Sequence, residues 1–150
     1  MTTKEADKVS LEIKRWINAP PGRVYAAWTD PAQLKEWFGP ERVRTRSLTV
    51  DARVGGKYRW EITNLEDEDM AVFGEYRELV PGKKIVFTWK WEDDEAWKNQ
   101  PSLVIIELLD RDGGTELRLR HEQLPSEESR DRHHGGWNSV LDGLEKFINR

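Results

Sequence analysis

The chain has 150 residues, of which 37% are hydrophobic and 35% charged, and its formal net charge is −4 at pH 7. This composition is typical of one globular domain, and the interspersed charges argue against a nucleic-acid-binding protein, in which Lys and Arg cluster. The chain has no Cys, which excludes disulfides and thiolate metal sites and favours a reducing, cytoplasmic location. Residues 1–8 are polar and predict a loose tail without a signal peptide. No apolar run reaches the roughly 20 residues that a membrane span needs.

The beginning of the chain predicts one strand followed by two short helices. Val9, Leu11 and Ile13 alternate with polar residues, which indicates a strand with one side in water. Residues 18–22 break this strand, and Asp30-Pro31 separates the two helices, with Asp30 as the N-cap of the second. The apolar sides of the two helices are formed by Val24, Ala27, Trp28, Leu34, Trp37 and Phe38, before Gly39-Pro40 ends the second helix.

From residue 43 to residue 121 the apolar period changes to two, which predicts six further strands. Gly55-Gly56, Pro81-Gly82 and Asp112-Gly113-Gly114 are turns of hairpin length, so neighbouring strands should be antiparallel. The parity of the strands places on one inner face Tyr58, Trp60, Tyr76, Phe87, Trp89, Leu119 and His121. In the strand that contains Phe73, both parities carry an aromatic residue, so the pattern does not decide which side of this strand faces inward.

The last stretch, Ser126 to Arg150, predicts a long helix. Ser126 is a good N-cap, and acidic residues follow it in the first turn. One apolar stripe at helical spacing comprises Trp137, Val140, Leu141, Leu144, Phe147 and Ile148. Such a stripe must lie on another surface, and the inner face of the sheet is the available one. Gly135-Gly136 either leaves room beneath the helix for a ligand or marks a kink or a later start at Trp137, and we expect a continuous helix.

Short motifs in a fixed order run along nearly the whole chain. They are Ala19-Pro20-Pro21, Trp28-Thr29-Asp30-Pro31, Asp51-Ala-Arg-Val-Gly-Gly-Lys57, Gly74-x-Tyr76, Phe87-Thr88-Trp89, Leu117-x-Leu119-x-His121 and Gly136-Trp137. This ordered set resembles the START-like, helix-grip superfamily, and within it the homologues of the activator of the 90-kDa heat-shock-protein ATPase. The resemblance implies a single α+β domain over residues 1–150. Its seven-stranded antiparallel sheet would wrap a long C-terminal helix, with two short helices between the first two strands.

The same resemblance leaves the function open. The superfamily includes lipid carriers, plant hormone receptors, polyketide cyclases, aromatases and a chaperone activator, and it brings no catalytic residues with it. We interpret the chain as a binding protein for a small hydrophobic or aromatic molecule, held between sheet and helix. The expected wall of this cavity is Trp28, Trp37, Phe38, Tyr58, Trp60, Tyr76, Phe87, Trp89, His121, Trp137 and Leu141.

Other interpretations remain open at this stage. Aromatic residues often fill a core instead of lining a pocket, and His121 would more commonly be a core histidine than a ligand contact. The alternatives are a cyclase- or hydrolase-type enzyme with His121 as the acid–base group, and an interaction module that stimulates a chaperone ATPase. Trp97 would be either a lid or packed on the sheet edge. We expect no cofactor, metal, nucleic acid or membrane insertion, whereas a homodimer or a chaperone contact stays open.

Overall fold

The computed structural model describes residues 9–39, 43–92, 94–97 and 100–150. The expected tail at residues 1–8 and the stop at Pro40 lie outside the described residues. The elements follow one another as β1 (Val9–Ile17), α1 (Pro21–Thr29), α2 (Pro31–Trp37), β2 (Arg44–Val50), β3 (Lys57–Thr63), β4 (Asp69–Val80), β5 (Lys84–Trp91), a 3₁₀ turn (Glu95–Trp97), β6 (Ser102–Arg111), β7 (Gly114–Leu124) and α3 (Glu127–Asn149). This order agrees with the one expected from the sequence.

Within the described residues, seven strands form one antiparallel sheet in the order β1-β7-β6-β5-β4-β3-β2. Each strand from β2 to β6 pairs with the next one along the chain, and β7 pairs with β1. The α1–α2 pair carries the chain from one edge strand, β1, to the other, β2. The expected α+β helix-grip architecture is therefore confirmed.

The two short helices are fixed by their caps and by one indole. The Asp30 carboxylate accepts a hydrogen bond from the Ala32 amide at 3.0 Å, and Pro31 occupies the first turn of α2. Trp37 Nε1 donates to the Ala27 carbonyl of α1 at 2.9 Å, which ties the helices together. Trp28 packs edge-on against Trp37, so this pair forms one side of the aromatic core.

Helix α3 runs without interruption through Gly135 and Gly136, as expected. The Ser126 hydroxyl caps it by accepting from the Ser129 amide at 3.1 Å. Its stripe is buried against the sheet and α2 through Trp137, Val140, Leu141, Leu144 and Phe147. Arg15 of β1 donates to Asp142 and Glu145, each at 2.8 Å, and so holds the helix at this edge of the sheet.

The inner face of the sheet follows the strand parity. The residues expected there, from Tyr58 to His121, are all buried. In β4, whose inward side the sequence leaves open, Val72 and Tyr76 are the residues that face the core. The core is therefore a layer of aromatic and aliphatic side chains between the curved sheet and α3. No helix among the described residues is long and apolar enough to cross a membrane.

Candidate functional site

A cavity of about 250 Å³ lies between strands β3 to β5, the loop after β5 and the N-terminal half of α3. Its wall is formed by Val43, Trp60, Ile62, Asn64, Met70, Trp89, Trp91, Asp94, Trp97, Arg132, His133, Gly136, Trp137 and Val140. We call it the tryptophan cavity, because five indoles border it: Trp60, Trp89, Trp91, Trp97 and Trp137. A dry cavity of about 150 Å³ accommodates benzene, so this one has room for one or two rings.

The structure divides the eleven residues expected to line one pocket. Trp60, Trp89 and Trp137 border the tryptophan cavity. A second space of about 30 Å³ is bordered by Trp28, Phe38, Tyr58, Trp60, Tyr76, Phe87 and Trp89. It has roughly the volume of one water molecule in the liquid, which is too small for an organic ligand. The buried residues Trp37, His121 and Leu141 border neither space.

His121 is fully buried, and both of its ring nitrogens are engaged within the protein. Trp137 Nε1 donates to His121 Nδ1 at 3.0 Å, so Nδ1 must accept and the neutral ring carries its proton on Nε2. His121 Nε2 therefore donates to Ser102 Oγ at 2.7 Å, and that hydroxyl donates onward to the Trp89 carbonyl at 2.7 Å. Burial, together with the neighbouring His133, lowers the pKa of His121 well below its ordinary value. These contacts link His121 to the indole of Trp137 and, through Ser102, to the backbone of Trp89.

His133 joins α3 to β5 at the cavity wall. Its Nε2 accepts hydrogen bonds from Trp89 Nε1 at 3.2 Å and from Trp91 Nε1 at 3.0 Å. Its Nδ1 donates to the Ser129 carbonyl at 2.7 Å, one turn earlier in the helix. This arrangement requires a neutral imidazole, because protonated Nε2 would face two N–H donors. Burial lowers the pKa of His133, although the bond to Ser129 opposes the shift.

His121, which is buried, and His133, which is partly buried, should make the stability depend on pH. A histidine whose folded-state pKa is lowered contributes fully above its unfolded-state pKa, about 6.5, and the contribution is lost as the pH falls below that value. We therefore expect the free energy of unfolding to fall by about 1 to 3 kcal/mol from about pH 7.5 to about pH 5.5. Urea denaturation at several pH values measures this change. His134 is exposed, so His134→Gln should keep the same pH profile. A level wild-type profile over this range would contradict the assignment of neutral imidazole rings to His121 and His133.

Gly136 borders the tryptophan cavity, whereas the neighbouring Gly135 is exposed and does not. A Cβ added at either position would meet no heavy atom within 4 Å. The missing side chain of Gly136 therefore leaves open space beneath the helix, whereas Gly135 contributes none to this cavity.

Several residues of the site were not selected from the sequence. Trp97 was expected to be a lid or an edge contact, and it is buried in the 3₁₀ turn with its ring 5.6 Å from that of His133. Trp91 could have been found, because it shares the parity of Trp89 on β5. His133 had no such signal, since its orientation depends on how α3 is rotated against the sheet.

The fold and the aromatic cavity define a START-like protein of the helix-grip type. The model of the family "Activator of Hsp90 ATPase homolog 1-like protein" matches residues 18–149, and the chain belongs to this family. No curated protein sequence matches the chain.

Solved structures of bacterial proteins support the same assignment. Protein CV1439 from Chromobacterium violaceum is 31% identical, with a TM-score of 0.84, over 94% of this chain and 97% of that one. The AHSA1 protein from Silicibacter pomeroyi is 28% identical, with a TM-score of 0.77, over 92% and 96% of the two chains. CalU16 from Micromonospora echinospora is 26% identical, with a TM-score of 0.70, over 93% of this chain and 75% of that one.

Proposed function

We propose that this protein binds a small hydrophobic or aromatic molecule in the tryptophan cavity. The observation that carries the proposal is the combination of an open, mostly carbon-walled cavity with Gly136 in the helix above it. A glycine inside a helix costs about 1 kcal/mol relative to alanine. At this position it also preserves volume that a side chain would fill, which is the expected property of a ligand site.

The size and chemistry of the wall set the expected affinity. Burying about 200 Å² of apolar ligand surface contributes about 5 kcal/mol, before the costs of association. A free energy of about 5 kcal/mol corresponds to a dissociation constant of about 0.2 mM, so the dissociation constants should lie at about this value or above it. The expected occupant is a molecule of one or two rings, whose polar groups remain near Asn64, Asp94 and Arg132 at the cavity border.

The enzymatic alternative has weaker support. An acid–base group must reach the proton that it transfers, and both ring nitrogens of His121 are bonded to Ser102 and Trp137. His121 also does not border the tryptophan cavity. The histidine that does border it, His133, uses both nitrogens to hold Trp89, Trp91 and the Ser129 carbonyl.

Substitution of the two glycines of α3 tests the proposal. Gly136→Leu should fill the cavity and weaken binding of 2-naphthol at least tenfold, as measured by isothermal titration calorimetry. The same variant should have a higher melting temperature, because it improves helix propensity and adds apolar contacts. Gly135→Leu is the matched control, since it makes the same change on the exposed side of the helix and should bind like the wild type. Unchanged binding in Gly136→Leu, or no saturable binding by the wild type to a panel of one- and two-ring compounds, would contradict the proposal.

A further inference from the structure

We propose, building on the function above, that the tryptophan cavity selects compact organic cations, such as a trimethylammonium group attached to one ring. The inference goes beyond general apolar binding, because it assigns a charge to the ligand. It rests on two independent features. The first is that indole N–H groups of the wall donate to acceptors within the protein, and the second is the distribution of charge around the cavity.

Four of the five indole donors of the cavity wall already donate to acceptors within the protein. Trp60 Nε1 donates to Thr45 Oγ1 at 3.0 Å, and Trp137 Nε1 donates to His121. The N–H groups of Trp89 and Trp91 both end on His133. A carboxylate or carbonyl group of a ligand therefore finds none of these four donors available. The π-electrons of the indoles remain, and tryptophan is the aromatic side chain that attracts a cation most strongly.

The loops that border this region are acidic. Residues 64–69 and 92–97 contain eight Asp and Glu and no Lys or Arg. The first stretch supplies Asn64 and the second supplies Asp94 and Trp97 to the cavity wall. Arg59 and Arg46 on the neighbouring strands pair with Glu92 and Asp69, and Arg132 also borders the cavity. The eight carboxylates of these two stretches outnumber these three guanidinium groups, so the formal charge of this group of residues is negative, which favours the approach of a cation.

A pair of ligands with the same shape isolates the effect of charge. Phenyltrimethylammonium and tert-butylbenzene differ in one central atom and in charge, and both have a size suited to a cavity of about 250 Å³. In an ordinary apolar cavity the neutral compound should bind more tightly, because the cation loses its hydration on entry. A preference for the cation therefore requires attraction by the wall and its surroundings.

We expect phenyltrimethylammonium to bind at least tenfold more tightly than tert-butylbenzene in calorimetric titrations at low ionic strength. Asp94→Asn should weaken the binding of the cation alone, by about threefold. Added salt should reduce the preference for the cation further. Glu12→Gln, which removes one negative charge from an exposed position on β1, is the matched control and should change neither affinity.

The possible outcomes separate this inference from the proposed function. If tert-butylbenzene binds as tightly as the cation or more tightly, the inference is wrong while the apolar binding function stands. If the anion benzenesulfonate binds most tightly, Arg132 dominates the site and the inference is again wrong. If none of the compounds binds, the proposed function itself is contradicted.

Discussion

Gly74→Ala should lower the free energy of unfolding by about 3 kcal/mol or more, measured by urea denaturation. A Cβ at this position of β4 would lie 2.0 Å from the Thr88 carbonyl oxygen on β5. The Glu75 amide of β4 donates to Thr88 Oγ1 at 2.9 Å and holds the two strands in this close approach, while Tyr58 Oη of β3 donates to the Thr88 carbonyl. The obstructing atom belongs to the backbone, so the clash can be relieved only by separating paired strands.

Gly22→Ala provides the control for this prediction. Gly22 is exposed in the first turn of α1, and a Cβ there would meet no atom within 4 Å. The control should be neutral or slightly stabilising, because alanine is the better helix former. Equal stability of Gly74→Ala and the wild type would show that β4 and β5 are farther apart than described.

Trp137→Ala should have the second large effect, with a loss of about 3 to 5 kcal/mol in the free energy of unfolding. The Trp137 side chain is 2% exposed, and its ring lies 4.9 Å from that of Trp89. The substitution removes this buried surface and also the only donor to His121 Nδ1 among the described residues. An acceptor left unsatisfied in the core adds a desolvation cost of about 1 to 3 kcal/mol.

Trp137→Phe separates these two contributions. Phenylalanine keeps most of the apolar contact and loses only the N–H, so its cost should lie near the smaller value, about 1 to 3 kcal/mol. Val54→Ala, which alters a side chain that is 65% exposed, should be within about 0.5 kcal/mol of the wild type. A Trp137→Phe variant as stable as the wild type would indicate that the bond between the indole and His121 contributes nothing.

The fold was accessible from the sequence because its main signals are periodic. Alternation along β3 and β5 identified the inner face through Trp60 and Trp89, and the spacing of Trp137 and Leu141 identified the buried stripe of α3. Helix and sheet each present one apolar face, so their packing against each other followed directly. The short helices were marked by Asp30-Pro31, where capping chemistry is local.

The candidate site was predicted less completely, since a cavity depends on which buried side chains fail to meet. Parity placed Tyr58 and Trp60 on the same face, but the sequence does not indicate that Tyr58 borders only the space of about 30 Å³ whereas Trp60 also borders the one of about 250 Å³. The role of His133 depends on the rotation of α3, and the burial of Trp97 depends on a loop whose composition is polar. Such features arise from tertiary packing and leave little local signal.

The most direct test of the central claim is a crystal structure of the protein equilibrated with 2-naphthol, at a concentration above its measured dissociation constant. We expect electron density for the ligand beneath Gly136, in contact with Trp89 and Trp137. Crystals of Gly136→Leu under the same conditions should show the leucine side chain in that space and no ligand. Ligand density confined to the protein surface, with the cavity closed by its own tryptophans, would contradict the claim.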